Sequence, residues 1–253
     1  MVHFVGAGPG ATDLITVRGQ RLIAEADVII YAGSLVNPEL LAYAKPGCDC
    51  LDSASMTLEQ VIARIEAAEA ANQTTVRLHT GDPSIYGAIR EQMDALDARG
   101  IAYDVTPGVS SFCASAAAIP AEFTLPGQSQ TVIITRMAGR TPVPEKERMA
   151  SLAAHRASMA IFLSTGLLES LSSELIAGGY APSDPAAIVY KASWPDERVL
   201  RCTIGTLAET AAREGITKTA MILVGSFLGS EYDRSLLYHP GFSHMFREAT
   251  NAD

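Results

Sequence analysis

Short apolar runs alternate with helix-spaced apolar positions through the first half of the chain. His3–Val5, Asp27–Tyr31, Thr75–His79 and Ile101–Val105 have the length and composition of strands, with turn residues or charges around them. Between them, apolar positions recur at three- and four-residue intervals over Arg18–Glu25, Leu58–Ala71 and Ala88–Ala98, which predicts helices. Thr57 stands where the second helix needs its N-cap, and Arg99-Gly100 where the third stops. Strand–helix–strand alternation of this kind calls for a mainly parallel sheet covered on both faces.

Pro120, Pro126 and Gly127 flank a stretch with little regular pattern, which places a domain boundary there and divides the chain into residues 1–120 and 121–253. Alternation then resumes. Thr131–Thr135, Met159–Ser164, Ala187–Tyr190, Arg198–Thr203 and Ala220–Phe227 read as strands, and Glu145–Ala154, Leu167–Ala177 and Thr206–Glu214 as helices. The strand pair around Arg198 makes the second sheet mixed. The predicted fold class is α/β, with two α/β/α domains, mainly parallel or mixed sheets, and a cofactor cleft between them.

Composition narrows the function classes. Of 253 residues, 48% are hydrophobic and 19% charged, the balance of a folded protein with real cores. The net charge of −9 argues against a broad nucleic-acid footprint and leaves room for a local basic pocket. Cys48, Cys50, Cys113 and Cys202 lack the spacing of a zinc or redox site, so no metal is expected. No apolar run approaches the ~18 residues that cross a bilayer, and the N-terminus enters a strand without a basic leader. The expectation is a cytoplasmic protein with no membrane partner.

Candidate chemistry concentrates in turns that follow strands. Thr80-Gly81-Asp82-Pro83-Ser84-Ile85-Tyr86-Gly87 joins a strand to a helix and puts exposed backbone and one carboxylate at the strand's carboxyl end, where open α/β sheets bind small ligands. A solvated helix-capping turn would use the same residues. Gly6-Ala7-Gly8-Pro9-Gly10-Ala11 satisfies a dinucleotide pattern, but Pro9 removes an N–H from the phosphate cradle and Asp13–Val17 delays the following helix. A nicotinamide-linked oxidoreductase is therefore the weaker use of that loop.

Several signatures occur together and in order: the first glycine loop with Asp13-Leu14-Ile15-Thr16 and Gly19, then Ala26–Tyr31, Gly81-Asp82-Pro83, and Thr106-Pro107-Gly108-Val109-Ser110-Ser111. With them the chain resembles the tetrapyrrole methyltransferase family over nearly its whole length. Tyr31–Val36, Thr135–Thr141 and Tyr190–Glu197 narrow the resemblance to members that methylate precorrin-4 at C11, and the tail Ser235–Pro240 with Phe246-Arg247 to those that take the metal-free macrocycle.

The resemblance implies S-adenosylmethionine (SAM) as cofactor, S-adenosylhomocysteine as product, a homodimer, and a site that holds the cofactor largely by backbone. It assigns Pro9, Thr80, Gly81, Asp82, Ile85, Ser110, Ser111, Leu163 (or its neighbour Ser164), Ala192 and Ala220 to the cofactor. Ala192 and Ala220 would serve equally as small strand residues under a helix. Precorrins carry many carboxylates, so basic and aromatic groups on strand-end loops are candidates for substrate: Arg136, Met137 and Arg140 on one, Lys191 and Trp194 on another, with Gly8, Tyr31 and Ser34. His79 is open to a contact with substrate carboxylates or to an ordinary strand-end role. No residue stands out as the catalytic base. Rival readings are the cobalt-containing precorrin, a sibling precorrin methyltransferase, an NAD(P)-linked enzyme and a non-catalytic tetrapyrrole carrier.

Overall fold

A computed structural model describes residues 1–250. The described chain divides into two compact units, Met1–Ala118 with Lys191–Arg198, and Ile119–Tyr190 with the chain from Val199 onward. The pattern of the chain predicts the division at residue 120 and assigns Lys191–Arg198 to the second domain; that short segment instead packs with the first.

The first unit runs β1 (Val2–Gly6), α1 (Val17–Glu25), β2 (Val28–Tyr31), β3 (Asp49–Asp52), α2 (Leu58–Ala70), β4 (Thr75–His79), α3 (Arg90–Asp97), β5 (Tyr103–Thr106) and α4 (Ser111–Ala118). The strands form one sheet in the order β3-β2-β4-β1-β5, with every pairing parallel. Alternate residues feed two cores, as strand geometry requires. Phe4 and Ile30 pack with Val61, Ile65 and Leu96, whereas Val5, Ile29 and Leu78 pack with Ile23 and Leu40. Thr57 and Gln60 close a capping box at the start of α2, at 2.9 and 3.4 Å, as its position before the helix predicted.

Two elements escape the pattern. β3, Asp-Cys-Leu-Asp, is an exposed edge strand without apolar alternation. α4 is Ser-Phe-Cys-Ala-Ser-Ala-Ala-Ala, whose small residues give no polar face to reveal a helical period.

The second unit runs β6 (Val132–Arg136), α5 (Met149–Ala153), β7 (Ser158–Phe162), α6 (Leu168–Ala177), β8 (Pro185–Tyr190), β9 (Arg198–Thr203), α7 (Leu207–Arg213) and β10 (Ala220–Val224). The sheet order is β6-β7-β10-β8-β9. β6 and β7 are parallel, and β10 is antiparallel to both β7 and β8, so the sheet is mixed as expected. Met159, Ile161, Ile188, Ile222 and Val224 meet Leu171, Leu175 and Leu207 in its core. The expected helix over Glu145–Ala154 is a 3₁₀ turn followed by the short α5, and β10 stops before Gly225, where φ is 137°. No helix among the described residues is long and apolar enough to cross a membrane.

Candidate active site

Three strand ends meet in the first unit. β1 leads into Gly6-Ala7-Gly8, β4 into Thr80-Gly81-Asp82, and β5 into Pro107-Gly108. Gly8 and Gly81 exchange backbone hydrogen bonds at 3.3 and 2.8 Å, and the Ala7 N–H donates to the His79 carbonyl at 2.7 Å. A Cβ on Gly108 would lie 2.1 Å from the Gly81 carbonyl oxygen and 2.8 Å from the Gly6 Cα. Backbone packs on backbone here, so this edge offers main-chain groups rather than side chains to a ligand.

Asp82 ties the turns together. One carboxylate oxygen accepts the Gly108 N–H at 2.9 Å; the other accepts the Ser84 N–H at 2.9 Å and the Ser84 hydroxyl. Partial burial pushes the carboxyl pKa up, but the Ser84 hydroxyl and the two amides prevail and hold it below the ordinary aspartate range. Both oxygens thus serve loop geometry first. Thr80 and Ile85 lie half-buried beside this turn. Ser110 is buried, its carbonyl accepts the Cys113 and Ala114 N–H groups, and Ser111 opens α4.

The Lys191–Arg198 segment braces the glycine loop. The Trp194 indole N–H donates to the Pro9 carbonyl at 3.0 Å, and the Ala11 N–H donates to the Ser193 hydroxyl at 3.0 Å. The Asn37 amide donates to the Gly10 carbonyl at 2.9 Å. Gly10 seats the indole, because a Cβ there would stand 2.1 Å from Nε1. Lys191 pairs with Asp196 at 2.7 Å and sits 5.5 Å from the Trp194 ring centre. Trp194 and Lys191, expected on substrate, therefore already have protein partners. Ala192 is buried between them in sequence. Tyr31 is half-buried at the end of β2, with its carbonyl accepting from the Ser53 hydroxyl at 3.0 Å, and Ser34 is exposed just beyond.

In the second unit, Arg136 ends β6. Its guanidinium donates to the Met137, Thr141 and Pro142 carbonyls at 3.1, 3.2 and 2.8 Å, folding its own loop rather than standing free. The Met137 side chain, expected on substrate, packs in the core, and its N–H donates to Ser164 at 2.9 Å. Arg140 is exposed on the loop that Arg136 braces, and among the described residues no carboxylate forms an ion pair with it. Ser164 is fully buried and donates to the Phe162 carbonyl at 2.7 Å. Beside it, Leu163 is 66% exposed and left-handed, with φ at 52°. Ala220 opens β10 opposite Tyr190, and its carbonyl accepts from the Thr165 hydroxyl at 3.2 Å. Because β10 runs against β7, its first residue shares a sheet edge with the ends of β6 and β7.

Sequence reasoning missed Asn37 and Ser193, and offered Ser164 only as the alternative to Leu163 beside the cofactor. Ser193 lay in a quoted motif, and nothing local marks Asn37.

The sequence model of the tetrapyrrole (corrin/porphyrin) methylases matches residues 1–208. The chain belongs to this family. Among curated methylase relatives, the cobalt-precorrin-4 C(11)-methyltransferase of Methanocaldococcus jannaschii is 51% identical over 98% of this chain and 96% of its own. The precorrin-4 C(11)-methyltransferase of Mycobacterium tuberculosis is 47% identical over 94% and 95%. Among solved methylases, a cobalt precorrin-4 methyltransferase superposes with a TM-score of 0.89 at 45% identity, covering 90% of this chain and 96% of that one. A uroporphyrin-III C-methyltransferase from Thermus thermophilus, solved with S-adenosylhomocysteine, gives 0.73 at 26% identity, covering 90% and 92%.

Proposed function

We propose that this chain is a SAM-dependent C-methyltransferase that adds a methyl group at C11 of precorrin-4, giving precorrin-5 and S-adenosylhomocysteine. The observation that carries this reading is full-length similarity to two relatives named for C(11) methylation, one of cobalt-precorrin-4 at 51% identity and one of precorrin-4 at 47%. The glycine junction suits the cofactor by its place: it lies at the carboxyl edge of a parallel sheet, where α/β folds bind small ligands, and its backbones pack too closely to admit a Cβ on Gly6 or Gly108. Pro9, Thr80, Gly81, Asp82, Ile85, Ser110 and Ser111 would hold it there, largely through main-chain groups. Leu163, Ala192 and Ala220 complete the proposed set.

SAM supplies a methyl already activated on a sulfonium. The residues of the chain then have to bind, align and exclude water, and alignment alone is worth about 7–11 kcal/mol in the best intramolecular cases. Asp82 and Trp194 do this indirectly by fixing the loops that carry Gly81, Gly108 and Pro9. Arg140, charged and exposed, is the better placed of the two loop arginines for a substrate carboxylate, with Gly8, Tyr31, Ser34 and Lys191 as further contacts. The proposal includes a homodimer, which sedimentation of this 26.8-kDa chain would test.

The deciding experiment is transfer from carbon-13-labelled SAM to metal-free precorrin-4, read by NMR. A new methyl signal at C11 is expected. The relatives named for the cobalt-containing and metal-free substrates interleave in identity, so a preparation active only on cobalt-precorrin-4 would move the enzyme to that branch. Binding of precorrin without transfer would indicate a carrier, and binding of NAD(P) without S-adenosylhomocysteine an oxidoreductase; either would overturn the reading.

A further inference from the structure

A cavity of about 280 Å³ opens in the first unit at the carboxyl ends of β2 and β4, under α2 and α3. That is room for a carboxyalkyl arm and far too little for a macrocycle. Two residues of β4 set its chemistry. Arg77 and His79, spaced two apart and so on one face of the strand, both line it and are 6% and 3% exposed.

Arg77 is a buried cation with neutral partners. Its Nε donates to the Gln92 side-chain oxygen at 3.0 Å and its Nη1 to the Ile30 carbonyl at 3.0 Å. Among the described residues no carboxylate forms an ion pair with it; Glu91, which also lines the cavity, is exposed. Burial lowers the guanidinium pKa to about 10, which still leaves it charged at neutral pH. Buried charges are ordinarily paired, because desolvation penalises a lone one.

His79 carries a second unmet requirement. Its Nε2 is buried with no hydrogen-bond partner. Burial, with the Arg77 charge adding to it, pushes the imidazole pKa down to about 3, so the ring is neutral. The Phe4 ring lies 6.0 Å away, centre to centre, and supplies no polar partner. A neutral imidazole with its proton on Nε2 would form, beside a guanidinium that lacks an ion-pair partner, a donor pair suited to one anionic oxygen group.

We propose that the Arg77–His79 cavity is a subsite for one carboxylate arm of the tetrapyrrole substrate. The proposal rests on the precorrin reading above and adds to it a buried anchor distinct from the exposed Arg140. A carboxylate bonded by Arg77 and by the His79 Nε2–H would satisfy both groups together. It would also fix the rotational setting of the macrocycle relative to the Gly81 turn, since Thr80 and Ile85 line the same cavity.

The test uses the full chain labelled with nitrogen-15 histidine and saturated with S-adenosylhomocysteine. Adding precorrin-4 should move the His79 Nε2–H resonance downfield, the signature of a new hydrogen bond to an anion. Arg77→Lys, which keeps the charge and loses the planar fork, should weaken precorrin-4 binding by about 10- to 100-fold. Its S-adenosylhomocysteine affinity should stay within about twofold of wild type. The wild-type resonance reports even if an Arg77 variant fails to fold. An unmoved His79 signal at saturating precorrin-4, with methyl transfer to C11 intact, would overturn the subsite and leave the proposed function standing. A shift produced by acetate alone, and not by precorrin-4, would show a site for free small carboxylates and likewise overturn it. A wild-type chain that neither binds nor methylates precorrin-4 would overturn both.

Discussion

In the first unit all five strands run parallel, so every strand ends on the same edge. In the second, β10 runs against β7 and β8, so the corresponding edge mixes strand ends with a strand start. The means of fixing the loops differ as well. Around Gly6, Gly81 and Gly108, contact is backbone on backbone with Asp82 as a side-chain tie, and Trp194, Ser193 and Asn37 brace only the stretch of the loop beyond, at Pro9 to Ala11. Around β6 and β7, side chains do the fixing: Ser164 bonds the Met137 N–H, and the Arg136 guanidinium gathers three carbonyls. A backbone junction leaves main-chain donors and acceptors near a ligand but tolerates no added atom. A side-chain brace tolerates substitution better and covers the main chain it holds.

The comparison is broken most severely at Gly108. Alanine there puts a methyl 2.1 Å from one backbone atom and 2.8 Å from another, and neither can rotate away. Gly108→Ala should lose about 3 kcal/mol or more of stability and at least about 100-fold in S-adenosylhomocysteine affinity. Gly166, in the second unit, has no atom within 4 Å of the place a methyl group would occupy, so Gly166→Ala should stay within about 0.5 kcal/mol. Calorimetric titration with S-adenosylhomocysteine and denaturant melts measure both; equal effects at the two glycines would erase the distinction.

The same contrast explains what could be read from the chain. The parallel edge was legible because its strands are apolar runs and its turns carry glycine and proline, both local signals. That Gly6 and Gly108 touch was not, since periodicity says nothing about loops so far apart in sequence. The side-chain braces were less legible still. Arg136 reads as a strand-end cation ready for a carboxylate, and only the course of its own loop shows it bonded to Met137, Thr141 and Pro142. Met137 looked accessible beside it, but the chain turns there and buries it. β3 and α4 escaped because an exposed polar edge strand and a helix of small residues carry no amphipathic pattern.

Ser164 tests the second unit's mode of fixing. Alanine would leave the buried Met137 N–H without its Ser164 acceptor and remove the hydroxyl that bonds the Phe162 carbonyl, at a cost of about 1–3 kcal/mol by denaturant melts. An unchanged midpoint would show the turn to be held by other means. Asp82→Asn is the milder counterpart in the first unit: one oxygen and the shape remain, the charge goes, and S-adenosylhomocysteine affinity should fall about tenfold. Its pH signature is definite. A carboxyl held below its unfolded pKa of about 3.9 contributes stability above that pH and loses it as the pH falls through the folded value. The wild-type advantage over Asp82→Asn should therefore be full at neutral pH and shrink below about pH 4. A gap that is constant with pH would remove the charge from the explanation.

The smallest stability change is expected at Leu163, and it runs the other way. A leucine that is two-thirds exposed and left-handed is unfavourable on both counts, since its side chain gains little burial and its Cβ crowds the carbonyl. Asparagine tolerates that conformation, so Leu163→Asn should leave stability unchanged or raise it by up to about 1 kcal/mol. If Leu163 contacts the cofactor, as proposed, the same variant should bind S-adenosylhomocysteine several-fold more weakly. Stability and affinity moving in opposite directions would mark the strained leucine as a functional residue; an unchanged affinity would remove it from the cofactor site and leave the first unit's backbone cradle to account for binding.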